Sequence, residues 1–372
     1  MKKFSRLIAL CAALCLLLSI SALAAEGGSQ DDPVISYSYL TTALHDSLLQ
    51  DAFAVVDAGS SAAFTAFAEE AARLNREHAL QNVTPVYVKG RVLLKSGDIL
   101  TLSPGAQATL LAGAASANSA NLVDITAGTK QPSGAALVTD HRYMKNDQSD
   151  GGLSILSETA EVFLDGVVSL AYSSATDYAS MADAMYEMGL FAGTRGATTG
   201  YALEHTCTRI ESLIMFLRLI GVEQEAAAFT GTHPFTDVPQ GHWAYRYLAY
   251  AYAHNLAYGT SKTTFTPSRN VTAQEYLTFL LRCLHYREGT DFTYNTVLND
   301  ASQLGAFSAG EISRMNSGTF YRSRMVYLSY YALYATEQNS QKTLLLSLVD
   351  AGAVNLDNAI SGAARVNGSR VR

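Results

Sequence analysis

Thr272-Ala273-Gln274-Glu275-Tyr276-Leu277-Thr278-Phe279-Leu280-Leu281-Arg282-Cys283-Leu284 has a near copy 64 residues earlier, Thr208-Arg209-Ile210-Glu211-Ser212-Leu213-Ile214-Met215-Phe216-Leu217-Arg218-Leu219-Ile220. Each opens Thr-x-x-Glu, a capping box in which the threonine oxygen accepts from the N3 amide and the glutamate accepts from the N-cap amide. Behind the box Leu277, Phe279, Leu280, Leu281 and Leu284 match Leu213, Met215, Phe216, Leu217 and Ile220. Upstream, residues 243–260 and 177–194 are helical patterns that both end Leu-x-x-Gly-Thr, at an offset of 66. Gly259 and Gly193 are expected to take positive φ just past a helix C-terminus. A third, worn copy follows, in which residues 301–307 echo residues 184–191 and a helix opens at Phe320-Tyr321-Arg322-Ser323-Arg324. Its capping box is gone, because Tyr321 cannot cap as threonine does and Arg324 replaces the glutamate. One helix-loop-helix unit buries too little apolar area to stand alone, so the three are expected to pack on one another.

The remaining chain is read around this repeat. Hydrophobic residues make up 48% of the 372 and charged residues 16%, which excludes a disordered or coiled-coil chain. The net charge is −7 without a Lys/Arg block, so no nucleic acid or anionic membrane partner is expected. Eight histidines and four cysteines lack zinc-ligand spacing, and no metal or cofactor is expected. Residues 1–25 read as a signal peptide: Lys2, Lys3 and Arg6, then an apolar run over residues 7–18, then Ala22-Leu23-Ala24. The run is short for a span, and leucines precede Cys11 and Cys15, so neither a membrane anchor nor a lipid is expected once the signal is cleaved. Cys207 and Cys283 then remain, read as small buried thiols rather than a bridge.

Over residues 33–82 the apolar positions recur with helical period. Leu40, Leu44, Leu48, Ala52 and Val55 form one stripe, and Phe64, Phe67, Ala71 and Leu74 another beyond a break at Gly59-Ser60-Ser61. Two amphipathic helices, or one kinked helix, are expected, with the stripe as core or as a self-association seam. Over residues 83–172 the period drops to two, with turns at Gly97-Asp98, Ser103-Pro104-Gly105, Ser133-Gly134 and Gly151-Gly152, as in a small antiparallel β module. Asp98, Asp124, Asp140 and Asp165 are read as turn chemistry. A pair of acids for glycoside hydrolysis would come from such residues, but no nucleophile motif accompanies them.

Residues 235–288 carry Phe235-Thr236-Asp237-Val238, His242-Trp243-Ala244, Gly259, Phe265-Thr266-Pro267 and Thr272-x-x-Glu275. This joint pattern closely resembles the S-layer homology domain of bacterial surface proteins. Residues 174–228 match in their second half and residues 289–358 only weakly, and the Ser36-Tyr39-Leu40 start and residues 94–111 look like the N-terminal part of clostridial proteins of this type. The resemblance implies an α+β chain whose C-terminal half, residues 174–228, 229–288 and 289–358, forms an all-α pseudo-threefold array. It implies binding of peptidoglycan-linked secondary cell-wall polysaccharide in grooves between repeats. Carried over residue by residue, the groove residues are Arg209, Asp237, Trp243, Gly259 and Arg322, while Ala273 stands where the second repeat's arginine belongs.

Residue chemistry points the same way for Arg209. Thr208 and Glu211 are committed to the cap, which leaves the intervening guanidinium at a helix N-terminus, where an anion is favoured. Arg209→Ala is therefore expected to weaken binding with little change in stability. Trp243 is read as a core anchor or a sugar-stacking face. The functional expectation is a non-enzymatic, secreted surface protein; the alternatives are a wall hydrolase on the same tether and a self-assembling envelope scaffold. Residues 173–358 are expected to fold alone, since the repeats hold their own caps.

Overall fold

The computed structural model describes residues 45–81, 85–146, 151–193, 200–366 and 370. The signal segment and the helix positions Leu40 and Leu44 lie outside them. The chain divides into two compact units, Met1–Val55 and Val56–Arg372, and the packing below is that of the second.

Helix α1 (His45–Gln81) runs through Gly59-Ser60-Ser61 without a break. A helical glycine costs only about 1 kcal/mol relative to alanine, and tertiary contacts form beside it. Buried Ser61 accepts a hydrogen bond from the Thr343 amide through Oγ at 3.1 Å. Phe64 stacks on Tyr334 with centroids 6.3 Å apart. The packed face is Ser61, Phe64, Ala68 and Ala72, while Val55, Phe67 and Leu74 of the expected stripe are exposed. Ala68 and Ala72 let the helix approach closely, and Phe64 fills the space against Tyr334.

The β module is a nine-stranded antiparallel sheet. Its strands are β1 (Val86–Lys95), β2 (Ile99–Leu102), β3 (Gln107–Ala112), β4 (Ala115–Ala117), β5 (Leu122–Asp124), β6 (Thr129–Gln131), β7 (Arg142–Lys145), β8 (Gly152–Ile155) and β9 (Thr159–Ala171). The order is β4-β8-β2-β9-β3-β7-β5-β6, with β1 also on β9. One edge of β9 carries β1, and the other carries β2 and β3 in tandem. The alternation read from sequence buries Leu100, Leu102, Ala108, Leu110, Val162 and Leu164. At Gly166, φ is +136° and a Cβ would lie 2.7 Å from the Ala106 Cα in the β2–β3 turn. Gly166→Ala is expected to lower stability by about 1–3 kcal/mol through strain and this clash, read by chemical denaturation.

The acids of the module have structural partners. Asp98 accepts from the amides of Lys95 (3.0 Å) and Ser173 (2.7 Å) and pairs with Lys95 Nζ at 3.1 Å. Asp124 accepts from the Ala127 amide at 2.9 Å and meets His141 Nδ1 at 2.7 Å. Burial alone raises its carboxyl, but these bonds outweigh burial and hold it below the ordinary value. Asp165, inside β9 rather than at a turn, accepts from the Tyr87 hydroxyl at 3.0 Å.

The C-terminal helices are α2 (Tyr178–Glu187), α3 (Arg209–Leu219), α4 (Glu223–Ala228), α5 (Tyr245–Ala253), α6 (Ala273–Cys283), α7 (Val297–Gln303), α8 (Ala309–Met315), α9 (Arg322–Ala332), α10 (Leu344–Asp350) and α11 (Leu356–Arg365). Both expected capping boxes form, Thr208 with Glu211 and Thr272 with Glu275. Tyr321 makes no side-chain cap. A further box, Ser308 with Glu311, opens α8 and went unread in the sequence. The expected positive φ at Gly193 and Gly259 does not occur. Gly189 (φ 76°) and Asn255 (φ 57°), four residues earlier and again 66 apart, take the left-handed position instead. Gly259 is glycine for a steric reason: a Cβ would lie 2.3 Å from the Phe235 ring and 2.4 Å from the Ser261 carbonyl oxygen.

Repeat spacing recurs in the contacts between helices. The Arg209 amide donates to the Arg269 carbonyl and that of Ile210 to Pro267; the Arg322 amide donates to His205 and that of Ser323 to Leu203. The two acceptor pairs are 64 residues apart, matching the offset of the sequence copies. These helices share their core with α1, which contributes Ala72 and Phe64. Helix α11 packs on α2, where a Cβ on Gly362 would lie 2.9 Å from the Ala184 carbonyl oxygen. A boundary at residues 173–358 falls within α11 and leaves out α1.

Candidate functional site: an arginine-lined groove

The capping boxes place two groups at one spot. Glu275, the N3 residue of α6, accepts from the Thr272 amide through Oε2 at 3.1 Å. Its Oε1 receives Arg209 Nη1 from the neighbouring unit at 2.7 Å. Arg269 grips the same carboxylate with both terminal guanidinium nitrogens. Burial alone would raise Glu275, but Arg269 and Arg209 outweigh it and hold the carboxyl below its ordinary value.

Arg209 is therefore not the free cation expected from the sequence. It is 7% exposed, and its remaining donors reach the Phe265 carbonyl (Nε, 3.1 Å) and the Tyr258 carbonyl (Nη2, 2.7 Å). The guanidinium also lies 4.6 Å from the Phe265 ring centroid. A desolvated cation must be satisfied from all sides, and the neighbouring loop supplies the acceptors.

Beside this pair opens a cavity of about 460 Å³, lined by Arg209, Tyr258, Gly259, Arg269, Glu275, Arg282, Glu288 and Tyr294, among others. Arg282 pairs with Glu288, lies 4.6 Å from the Tyr258 ring and donates to the Leu256 carbonyl at 3.0 Å. Three guanidinium groups face two carboxylates here, leaving the lining one charge positive. Such a groove suits an anion carried on a polar, ring-bearing ligand.

Of the residues expected at the site, Arg209 and Gly259 line this cavity together. Asp237 acts from behind, accepting from the amides of Phe265 (2.9 Å) and Thr266 (2.7 Å), and so sets the carbonyl that Arg209 binds. It also holds Thr266 at φ 57°. Trp243 is not a core anchor: it is 62% exposed, stacks on His242 at 5.6 Å and does not line this cavity. Arg322 occupies the matching place on α9. It donates through Nη2 to the Ala192 carbonyl at 3.0 Å and lies over the Phe191 ring at 5.2 Å, while its buried Nε has no partner among the described residues. Ala273, at the equivalent first position of α6, is buried and brings no charge. Arg269 and Tyr294 were not legible as site residues, because they stand outside the repeated motif, and Arg282, although it matches Arg218 of the earlier copy, was read only as part of the helix. The only sequence hint was the placing of Arg269 three residues before the capping threonine.

Comparison with known families matches residues 234–277. Those residues match the family model of the S-layer homology domain. The chain is 30% identical over 92 residues to a cellulosome-anchoring protein of Acetivibrio thermocellus, covering 24% of this chain and 21% of that one. It is 30% identical over 129 residues to a cell surface protein of Thermoanaerobacter kivui, covering 34% and 16%. It is 26% identical over 160 residues to a middle cell wall protein of Brevibacillus brevis, covering 41% and 15%. The chain thus spans about a fifth or less of these relatives. The S-layer homology domain, with relatives of the cell surface and wall, assigns this protein to the secreted cell surface. No described helix is long and apolar enough to cross a membrane.

Among the described residues, Cys207 and Cys283 are buried and free. Burial pushes the Cys207 thiol up to about 11, with nearby Arg322 opposing it, and raises Cys283 further.

Proposed function

We infer that this chain is a non-enzymatic surface protein held to the wall by three S-layer homology repeats in a pseudo-threefold array. The repeats are residues 174–228, 229–288 and from 289 into α11. Peptidoglycan-linked secondary cell-wall polysaccharide is the ligand, gripped through acidic substituents in the grooves of Arg209 and Arg322. The observation carrying this reading is the equivalence of those two residues. Each is the first residue of its helix, each donates its amide across to a neighbouring unit, and each fixes a loop carbonyl one residue before Gly259 or Gly193. The positive lining of the 460 Å³ cavity supports an acidic ligand. The partnered state of Asp98, Asp124 and Asp165 supports a non-enzymatic β module.

The chain lacking residues 1–25 is expected to sediment with wall sacculi and not with sacculi stripped of secondary polymer. Arg322→Ala should weaken that binding by roughly ten- to a hundredfold, the loss of one charge-assisted partner of about 1.5–3 kcal/mol. Equal sedimentation with stripped sacculi would count against the anchor. Release of reducing sugar or muropeptides, abolished by an Asp→Asn change in the β module, would count for the hydrolase.

A further inference from the structure

A second and larger concavity, about 680 Å³, lies where the ends of β1 and β9 face α2. Its chemistry is the reverse of the arginine groove. Asp177 and Asp183 line it, and neither forms an ion pair among the described residues. Its two arginines are neutralised elsewhere, Arg91 by Glu161 at 2.9 Å and Arg365 by Glu187 at 2.5 Å. The cleft therefore carries an excess of acceptor oxygens and repels acidic groups.

Three tyrosines complete the lining. Tyr201 donates its hydroxyl to Asp183 Oδ1 at 2.5 Å and packs against Tyr186, centroids 6.3 Å apart. Tyr186 is 60% exposed and Tyr172 is 37% exposed, although both are large rings on an otherwise well-packed unit. Lys95 Nζ lies over the Tyr172 ring at 4.8 Å, which leaves Tyr186 as the open ring face of the cleft. Asp177 caps α2, and Asp183 follows six residues later, about 9 Å along the helix at 1.5 Å per residue. Acceptors spaced along one wall, with ring faces beside them, fit a chain of hydroxyl donors with apolar ring faces.

We propose that this cleft is a further saccharide site, apart from the arginine grooves, taking a hydroxyl-rich oligosaccharide without acidic groups. Sugar hydroxyls donate to Asp177 and Asp183, and the exposed face of Tyr186 stacks on a sugar ring. The volume lies within the range of ordinary ligand pockets, which is roughly 300–1,000 Å³. The site shares no lining residue with the Arg209 groove and does not depend on it.

The test uses the chain without residues 1–25 and the neutral tetramer of N-acetylglucosamine, followed by titration calorimetry. Binding is expected, with affinity reduced about tenfold or more by Tyr186→Ala and by Asp183→Asn, and unchanged by Arg209→Ala. Asp183→Asn keeps an acceptor for the Tyr201 hydroxyl, so the cleft retains its shape. Thermal melts of both variants should match the parent. Absence of binding at millimolar sugar, or binding indifferent to both substitutions, would overturn the proposal. So would preference for tetralysine, which would mark the cleft as a basic-peptide site. Loss of acidic-polysaccharide binding in Arg209→Ala with tetramer binding intact would support two independent sites.

Discussion

Arg209→Ala is expected to lower stability by about 3 kcal/mol and to abolish measurable binding of acidic wall polysaccharide in its groove. This replaces the expectation, drawn from the capping motif alone, that the change would leave the melting temperature untouched. The guanidinium joins Glu275 of one unit to the carbonyls of Tyr258 and Phe265. Removing it takes the guanidinium donor from the Tyr258 and Phe265 carbonyls and one of the two cations from Glu275, while Arg269 keeps both carboxylate oxygens and the Thr266 hydroxyl still reaches the Phe265 carbonyl. Breaking a buried pair costs about 3–5 kcal/mol, and Arg269, which still holds Glu275, keeps the loss near the lower figure. Arg209→Lys separates the two roles: it keeps the charge but cannot reach three acceptors at once. Denaturation and calorimetry on both variants check this. An unchanged denaturation midpoint for Arg209→Ala would mean that the pair contributes no net stability.

The pair also predicts an acid response. Glu275 is held below its ordinary value of 4.5, so its contribution is complete above that pH and is lost as pH falls through the lower folded-state value. In Arg209→Ala the depression is smaller. The difference in stability between parent and variant should shrink as the medium is acidified below pH 4.5.

The second large effect is expected at Arg324. In the third unit this residue replaces the capping glutamate, which read as decay of the motif. Its guanidinium is instead a buried clamp. Nε and Nη2 take Glu158, just ahead of β9, at 3.2 and 3.1 Å, and Nη1 reaches the Ser317 and Met315 carbonyls. Arg324→Ala should cost about 3–5 kcal/mol by leaving Glu158 without its cation and Ser317 without a donor. Glu158→Gln, which keeps the shape and removes one charge, should cost less. Arg324→Glu would restore the family's capping residue and set two carboxylates together, so it should be the worst of the three. Denaturation of each variant orders them, and a restored cap that raised stability would sink this account.

Which parts of this were readable in advance follows from which interactions are local. A capping box closes within four residues, and Thr208, Glu211, Thr272 and Glu275 form the two boxes their spacing announced. Alternation in strands is equally local, and it marked the sheet core at Leu100, Leu102 and Leu110. The turn glycines were harder. Gly259 was read from its distance to a helix end, yet its need for glycine comes from the Phe235 ring, 24 residues away.

The sequence by itself determined the repeat, the caps, the strand alternation and the S-layer homology domain at residues 234–277, because each rests on neighbours a few residues apart or on a motif copied along the chain. Tertiary structure alone decided which face of α1 is buried, that Arg209 is a buried partner of Glu275 rather than a free cation, and that Arg324 clamps Glu158. Those partners lie 66 and 166 residues away. Side-chain chemistry states what a charged group requires when it is buried, but only the packing of distant elements determines whether it is buried and which group meets it.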